Sequence, residues 1–219
     1  MAVMRVKLAR TAPARWLEHR EFVQIVRDAV LRAGLPVAGG RGAPPAPCIT
    51  PGPPLRAGYL SRGEYVDFEL TEPTTAREFG RRLAAELPPG LEVVWQRRLP
   101  ARAKHLRAAV TGFTYTVSAR LDPARARAFA EATTWPHVRV RPARVQEFDL
   151  KRSVSRLDVR PEQARIDIEV RPDGTPKLEE VLESIFGIPP EESATIPTER
   201  AAVKLEQPYP LNHRIMEQL

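Results

Sequence analysis

An internal repeat limits the folds open to this chain more than any other feature of its sequence. Val66, Phe68 and Leu70 alternate with Asp67 and Glu69, and one hundred residues later Ile166, Ile168 and Val170 alternate with Asp167 and Glu169. Each run leads through a turn and an amphipathic stretch to a proline pair, Pro88-Pro89 or Pro189-Pro190. Alternation with a period of two marks a strand that buries one face. A chain that spells the same strand, helix and stop twice is expected to fold as two similar units.

The surroundings of each run fill in the units. In the first, Met4, Val6 and Leu8 predict an opening strand, and Phe22, Val23, Ile25, Val26, Ala29 and Val30 predict a helix over Trp16 to Ala33 that Gly34 and Pro36 close. Thr75 with Glu78 forms a capping-box signature ahead of a second helix facing inward with Phe79, Leu83 and Leu87, and Leu91, Val93 and Trp95 predict the next strand. In the second, Tyr115, Val117 and Ala119 predict a strand and Asp122-Pro123 to Phe129 a helix. Strands around Phe148–Leu150 and Val154–Val159 follow, with an extra strand in the long stretch 137–159. Thr175 with Pro176 stands at the head of a helix carrying Leu178, Val181, Leu182, Ile185 and Phe186, and Ala201, Val203 and Leu205 predict the last strand. The expected fold is α+β: tandem duplicated ferredoxin-like domains, each a split β-α-β unit with an antiparallel sheet. Residues 1–100 form the first domain with a long Gly/Pro loop at 34–63, residues 101–109 a basic linker, and residues 110–219 the second domain with an acidic C-terminal part.

Charge is unevenly spread. The whole chain of 219 residues has a formal net charge of +7. Residues 1–160 hold 28 basic and 15 acidic side chains, whereas residues 161–219 hold 6 and 12. Only five of the 34 cations are lysines, so arginine, whose planar fork suits phosphate and carboxylate, dominates. The densest run is Arg97, Arg98, Arg102, Lys104, His105 and Arg107. A segregated basic surface is the electrostatic footprint of a nucleic-acid binder, and it also suits an acidic protein partner. A solvated linker is the alternative reading of the dense run.

Absences narrow the chemistry. The single cysteine, Cys48, excludes a disulfide framework, a cysteine-rich zinc site and a cluster held by this chain alone. No phosphate-loop signature, H-E-x-x-H, G-x-S-x-G or Cys-x-x-x-Cys-x-x-Cys run occurs. No metal site and no cofactor is expected, since His19, His105, His137 and His213 have no helical i, i+4 partner. No apolar run is long enough to cross a membrane, and the charged N-terminus is unlike a secretory leader, so the chain reads as cytoplasmic.

The candidate catalytic residue is His19, flanked by Arg15 and Arg20 near a helix start, a place where an imidazole acts as a base or packs as a structural histidine. The Gly/Pro loop offers Gly39-Gly40-Arg41-Gly42 with Arg56 and Arg62, a turn that can direct backbone N–H groups and guanidinium groups at an anion. Together with the dense run, the candidate nucleic-acid or phosphate contacts are Arg15, Arg20, Arg41, Arg56, Arg62, Arg97, Arg98, Arg102, Lys104 and Arg107. Trp16, Trp95, Tyr59 and Tyr65 are able to stack on bases, with core or rim packing as the alternative.

Three segments carry a resemblance: Arg15-Trp16-Leu17-Glu18-His19-Arg20-Glu21-Phe22, then Arg32-Ala33-Gly34-Leu35-Pro36, and above all Ser61-Arg62-Gly63-Glu64-Tyr65-Val66-Asp67-Phe68-Glu69-Leu70. Across residues 15–73 the chain resembles the radical SAM-linked (radical SAM-associated) protein family, a bacterial domain of uncharacterised function. The resemblance marks Gly63, Glu64, Tyr65 and Asp67 as motif positions. Two departures stand out: Glu18 replaces the family's serine, and Gly42-Ala43-Pro44-Pro45-Ala46-Pro47 replaces its G-F-N-P-R-P loop. The resemblance implies a non-catalytic partner of a radical SAM protein; taken with the basic charge of residues 1–160 and the fold order, the expectation is an accessory that binds RNA for modification by the other enzyme. Two alternatives stand beside it: a metal-independent RNA endonuclease with His19 as base and Arg15 or Arg41 on the phosphate, and a scaffold whose basic face docks an acidic protein without nucleic acid.

Overall fold

A computed structural model describes residues 2–40, 45–100, 102–142 and 144–206. The fold is α+β with a mostly antiparallel sheet. The first half begins with β1 (Ala2–Arg10), α1 (His19–Arg32) and β2 (Ile49–Pro51), followed by β3 (Leu60–Leu70), α2 (Ala76–Glu86) and β4 (Leu91–Leu99). The second half contains α3 (Leu106–Ala109), β5 (Val110–Val117), α4 (Pro123–Glu131), β6 (Pro136–Arg141) and β7 (Arg144–Asp149). It continues with α5 (Leu150–Ser153), β8 (Val154–Arg160), β9 (Gln163–Glu169), α6 (Leu178–Phe186), α7 (Pro190–Ser193) and β10 (Thr198–Leu205).

The main sheet runs β4-β1-β3-β10-β5-β9-β8, with β2 on β3. Within the first half β1 pairs antiparallel with β3 and β4, and β2 antiparallel with β3. The second half repeats these relations: β5 pairs antiparallel with β9 and β10, and β8 antiparallel with β9. The strands β6 and β7 form a separate two-stranded sheet, which accounts for the extra length of 137–159.

The alternating residues bury as their spacing requires, except Val170, which lies past the end of β9 and is exposed. Met4, Val6 and Leu8 are fully buried with Val66 and Phe68, and Phe22, Val26, Ala29 and Val30 of α1 and Phe79 and Leu83 of α2 pack on them. Ile166 and Ile168 are buried with Val181, Leu182 and Ile185 of α6 in a second core. Both sets of helices cover the same side of the sheet, because Leu8, Glu64 and Arg200 fall on one side across the join. The other side carries no long helix among the described residues.

Local chemistry explains most element ends. Gly34 takes a positive φ of 57° after α1, Leu35 N–H donates to Val30 O and Gly34 N–H to Leu31 O, which is the Schellman closure. Thr75 caps α2, its hydroxyl accepting from Glu78 N–H at 3.2 Å. Two helix starts fall later than the sequence suggests. The helix α1 begins at His19 because a short 3-10 turn at Ala12–Ala14 intervenes and Arg10 draws the carbonyls of Ala14, Arg15 and Leu17 to its guanidinium. The helix α6 begins at Leu178 because the Thr175 hydroxyl accepts from Arg171 N–H at 3.1 Å, closing the preceding turn in place of a cap.

The halves are joined by three features. The first is a parallel pairing of Glu199 and Arg200 with Leu60 and Ser61. A second lies in the Gly/Pro loop, whose Leu55 and Tyr59 are buried in the second core although they precede β3. The third is Gly63: a Cβ there would lie 3.0 Å from the Val203 nitrogen, so the two backbones approach more closely than most side chains tolerate. The basic run is also structured at both ends, since Arg97–Leu99 extend β4 opposite Val3–Arg5 and Leu106 of α3 is fully buried.

Candidate nucleic-acid interface

Register places three side chains of the helix-free face in one row. Lys7 of β1 lies opposite Trp95 of β4 on one flank and Tyr65 of β3 on the other. The Tyr65 and Trp95 rings meet edge to face with centroids 6.4 Å apart, and the Lys7 ammonium lies 5.9 Å from the Tyr65 centroid. Burial pushes the Tyr65 phenol above its ordinary pKa. Two aromatic rings with a cation beside them are the chemistry that stacking on a base and contact with a phosphate require.

The next row is Arg97, Arg5 and Asp67. Arginines directly opposite one another repel. Here Asp67 relieves that repulsion by accepting two bonds from Arg5, at 2.7 and 2.8 Å, in a buried bidentate pair. Arg97 is left exposed with its charge unopposed by any ion pair among the described residues. Arg5 also donates to the Lys104 carbonyl at 3.2 Å, which draws the segment bearing Arg102, Lys104 and Arg107 up to this face. Arg98, Arg102 and Arg107 are exposed, and Lys104 pairs with Glu206 at 2.5 Å.

The other cations singled out in the sequence go elsewhere. Arg15 stacks on Trp16, 4.9 Å from its ring, and donates to Gly58 O at 3.1 Å. Arg56 donates to Pro190 O at 3.1 Å and to the Ser193 hydroxyl at 3.4 Å, which clasps the Gly/Pro loop to the second half. Arg62 pairs with Glu199 at 2.5 Å. Arg20 is exposed on α1, on the helix side of the sheet. Arg41 lies outside the described residues.

Two of the four motif residues, Gly63 and Glu64, sit at the join. Gly63 permits the close approach to β10, and Glu64 accepts two bonds from Arg200 at 2.6 Å, with both side chains buried. Tyr65 and Asp67 face the opposite side, in the two rows described above. Arg200 further donates to Pro53 O and Pro54 O and lies over the Phe113 ring. Its guanidinium thus fastens a strand of each half and the loop between β2 and β3.

His19 stands at the first turn of α1, half-buried beside this cluster. Burial lowers its pKa, Glu64 opposes that, and Arg200, Arg107 and Arg10 lower it further. The imidazole is therefore neutral at pH 7, as a base must be, but Arg15 is held on Gly58 and Trp16. The only thiol, Cys48, is pushed up in pKa by burial and by Glu69, which makes it a poor nucleophile. Among the described residues no group of three His, Cys, Asp or Glu side chains is placed to hold a metal ion. No helix there is long and apolar enough to cross a membrane.

Sequence reasoning did not single out Lys7, although its place in a strand alternating with Met4, Val6 and Leu8 puts it opposite the buried side. It also passed over Arg156, Arg160 and Arg165, the outward positions of β8 and β9. Residues 4–180 match a family described as an uncharacterised protein conserved in bacteria (DUF2344), a span far longer than the 15–73 of the sequence resemblance. That description makes no mention of radical SAM chemistry. No curated protein matches the chain.

Proposed function

This chain belongs to the DUF2344 family of bacterial proteins, and on that premise we propose that it is an accessory RNA-binding module serving a separate radical SAM enzyme in RNA modification. It is not itself the catalyst. In this reading residues 1–100 and 110–219 are two ferredoxin-like domains related by duplication, meeting around residues 101–109. The matching strand order in the two halves supports that relation. The radical SAM partner rests on the likeness of residues 15–73 to the radical SAM-linked family.

The observation that carries the RNA reading is the row Trp95, Lys7 and Tyr65 on a sheet face without helices, bordered by exposed Arg97 and by the segment bearing exposed Arg102 and Arg107, whereas Arg98, opposite Met4, turns to the other face. Stacking on such a platform is worth about 1–3 kcal/mol per base, and arginines along its edge follow the phosphate backbone. Titration of labelled single-stranded RNA at two salt concentrations tests it. Binding that weakens with salt, and that Trp95→Ala weakens about tenfold or more at fixed salt, is the expected result. No binding at low salt, or affinity indifferent to salt, overturns it.

A further inference from the structure

A second basic surface lies on the same helix-free side, at the far end of the sheet. Arg156, Asp158 and Arg160 of β8 and Gln163, Arg165 and Asp167 of β9 all point to that side, because the residues between them, Leu157, Val159, Ala164 and Ile166, pack into the second core. With Thr116 of β5, all of these but Asp167 line a shallow groove of about 210 Å³. Asp158 lies 3.2 Å from Arg156 and 3.7 Å from Arg160 and orients both, while Asp167 lies 3.7 Å from Arg165 and 2.9 Å from Lys204. Four cations thus face two carboxylates. The Arg156, Arg160 and Arg165 side chains are 50%, 72% and 52% exposed, so none is consumed by packing. Guanidinium forks beside a side-chain amide and a hydroxyl are the donor set of a phosphodiester contact.

Building on the RNA reading, we infer that this groove is a second backbone-phosphate subsite for the same ligand, and that the ligand is single-stranded. From β4 to β8 the sheet takes six strand-to-strand steps, a distance of ~29 Å at ~4.8 Å per step. At ~20–25° of twist per step the two basic surfaces are turned from one another by more than ~100°. A double helix is stiff over that length and cannot follow the turn, whereas a single strand can. Between the two surfaces Arg62 is neutralised by Glu199, so the strand is held at its ends and crosses a less basic middle.

The test uses the full chain with fluorescein-labelled oligouridylates of about 5 and about 15 nucleotides, bracketing the lengths such surfaces cover, and an RNA duplex of the longer length. The groove variant is Arg156→Gln/Arg160→Gln/Arg165→Gln, whose exposed positions leave the cores intact; unchanged thermal unfolding checks this. The longer oligomer is expected to bind wild type at least about tenfold more tightly than the shorter one or the duplex. The groove variant loses that advantage, and its slope of log K against log salt falls by about 2, at ~0.7 per phosphate contact. Affinity for the shorter oligomer stays the same in the groove variant and falls in Trp95→Ala. Wild-type affinity and slope for the longer oligomer in the groove variant, with Trp95→Ala still weakened, overturn the second subsite and leave the RNA reading standing. Equal binding of duplex and single strand overturns the single-strand assignment. Failure of wild type to bind either oligomer at low salt overturns the RNA reading and this inference with it.

Discussion

Arg200 and Glu64, 136 residues apart in sequence, form a bidentate ion pair with 2.6 Å contacts, and their side chains are 2% and 5% exposed. Desolvating two charges costs several kcal/mol each, so such a pair survives only with good geometry and further partners for the remaining donors. Pro53 O and Pro54 O supply those partners. Removing one member strands the other in an apolar setting, while replacing both does not. Arg200→Met and Glu64→Gln are each expected to cost about 3–5 kcal/mol in urea unfolding, and Arg200→Met/Glu64→Leu to recover much of that loss. Additive losses in the double variant would refute a coupled pair.

The clasp of the Gly/Pro loop predicts cooperative unfolding. Leu55 and Tyr59 precede β3 yet are buried in the second core. Leu55→Ala is expected to cost about 2–5 kcal/mol and to lower the midpoints of both halves together. Hydrogen exchange checks it: protection lost from β9 alone, with β1 untouched, would show that the loop does not couple them.

Alkaline pH is expected to destabilise the fold. Burial, with Glu179 nearby, pushes the Tyr59 phenol up to about 12, and burial raises Tyr65 and Tyr115 as well. In the unfolded chain these phenols ionise near the ordinary value of about 10. The unfolded state therefore releases protons first, and stability present below pH ~10 is lost as pH rises towards ~12. Denaturant midpoints read at pH 9 and pH 11, or absorbance of phenolate in the native state, give the answer. A midpoint that does not fall would contradict the buried placement.

His19 yields an acid-side prediction of the opposite sense. Its pKa is depressed mainly by burial, so the unfolded chain binds a proton first as pH falls below about 6.5. Stability present above that value declines as pH drops through the folded-state pKa. His19→Gln is expected to flatten the decline. The same variant separates the proposed accessory role from the endonuclease alternative: labelled RNA incubated in EDTA should survive with wild type and variant alike. Cleavage by wild type that His19→Gln abolishes would reverse that assignment.

Much of the architecture is local and hence readable from sequence. The alternations at Met4–Leu8 and Ile166–Val170, the Gly34 closure and the Thr75 cap depend on neighbours within a few residues. What sequence reading missed depends on distant partners. Arg56 looks like a phosphate ligand until Pro190 and Ser193 come within reach of it, and the basic run looks like a linker until Arg97–Leu99 pair with Val3–Arg5. Trp95 is indistinguishable from a core tryptophan until register sets it beside Lys7 on the uncovered side. Arg156, Arg160 and Arg165 escape notice because an arginine on an outward strand position is ordinary; only their convergence around Asp158 distinguishes them.

The Glu64–Arg200 pair also has a consequence in time. A ribosome adding about 5–20 residues per second emits Arg200 roughly 7–27 s after Glu64. Throughout that interval β3 has no β10 beside it, and Glu64 has no Arg200 to pair with. The first half thus waits on β10, so a nascent chain stalled before residue 198 should remain open to proteolysis between β2 and β3 and close only once β10 has emerged.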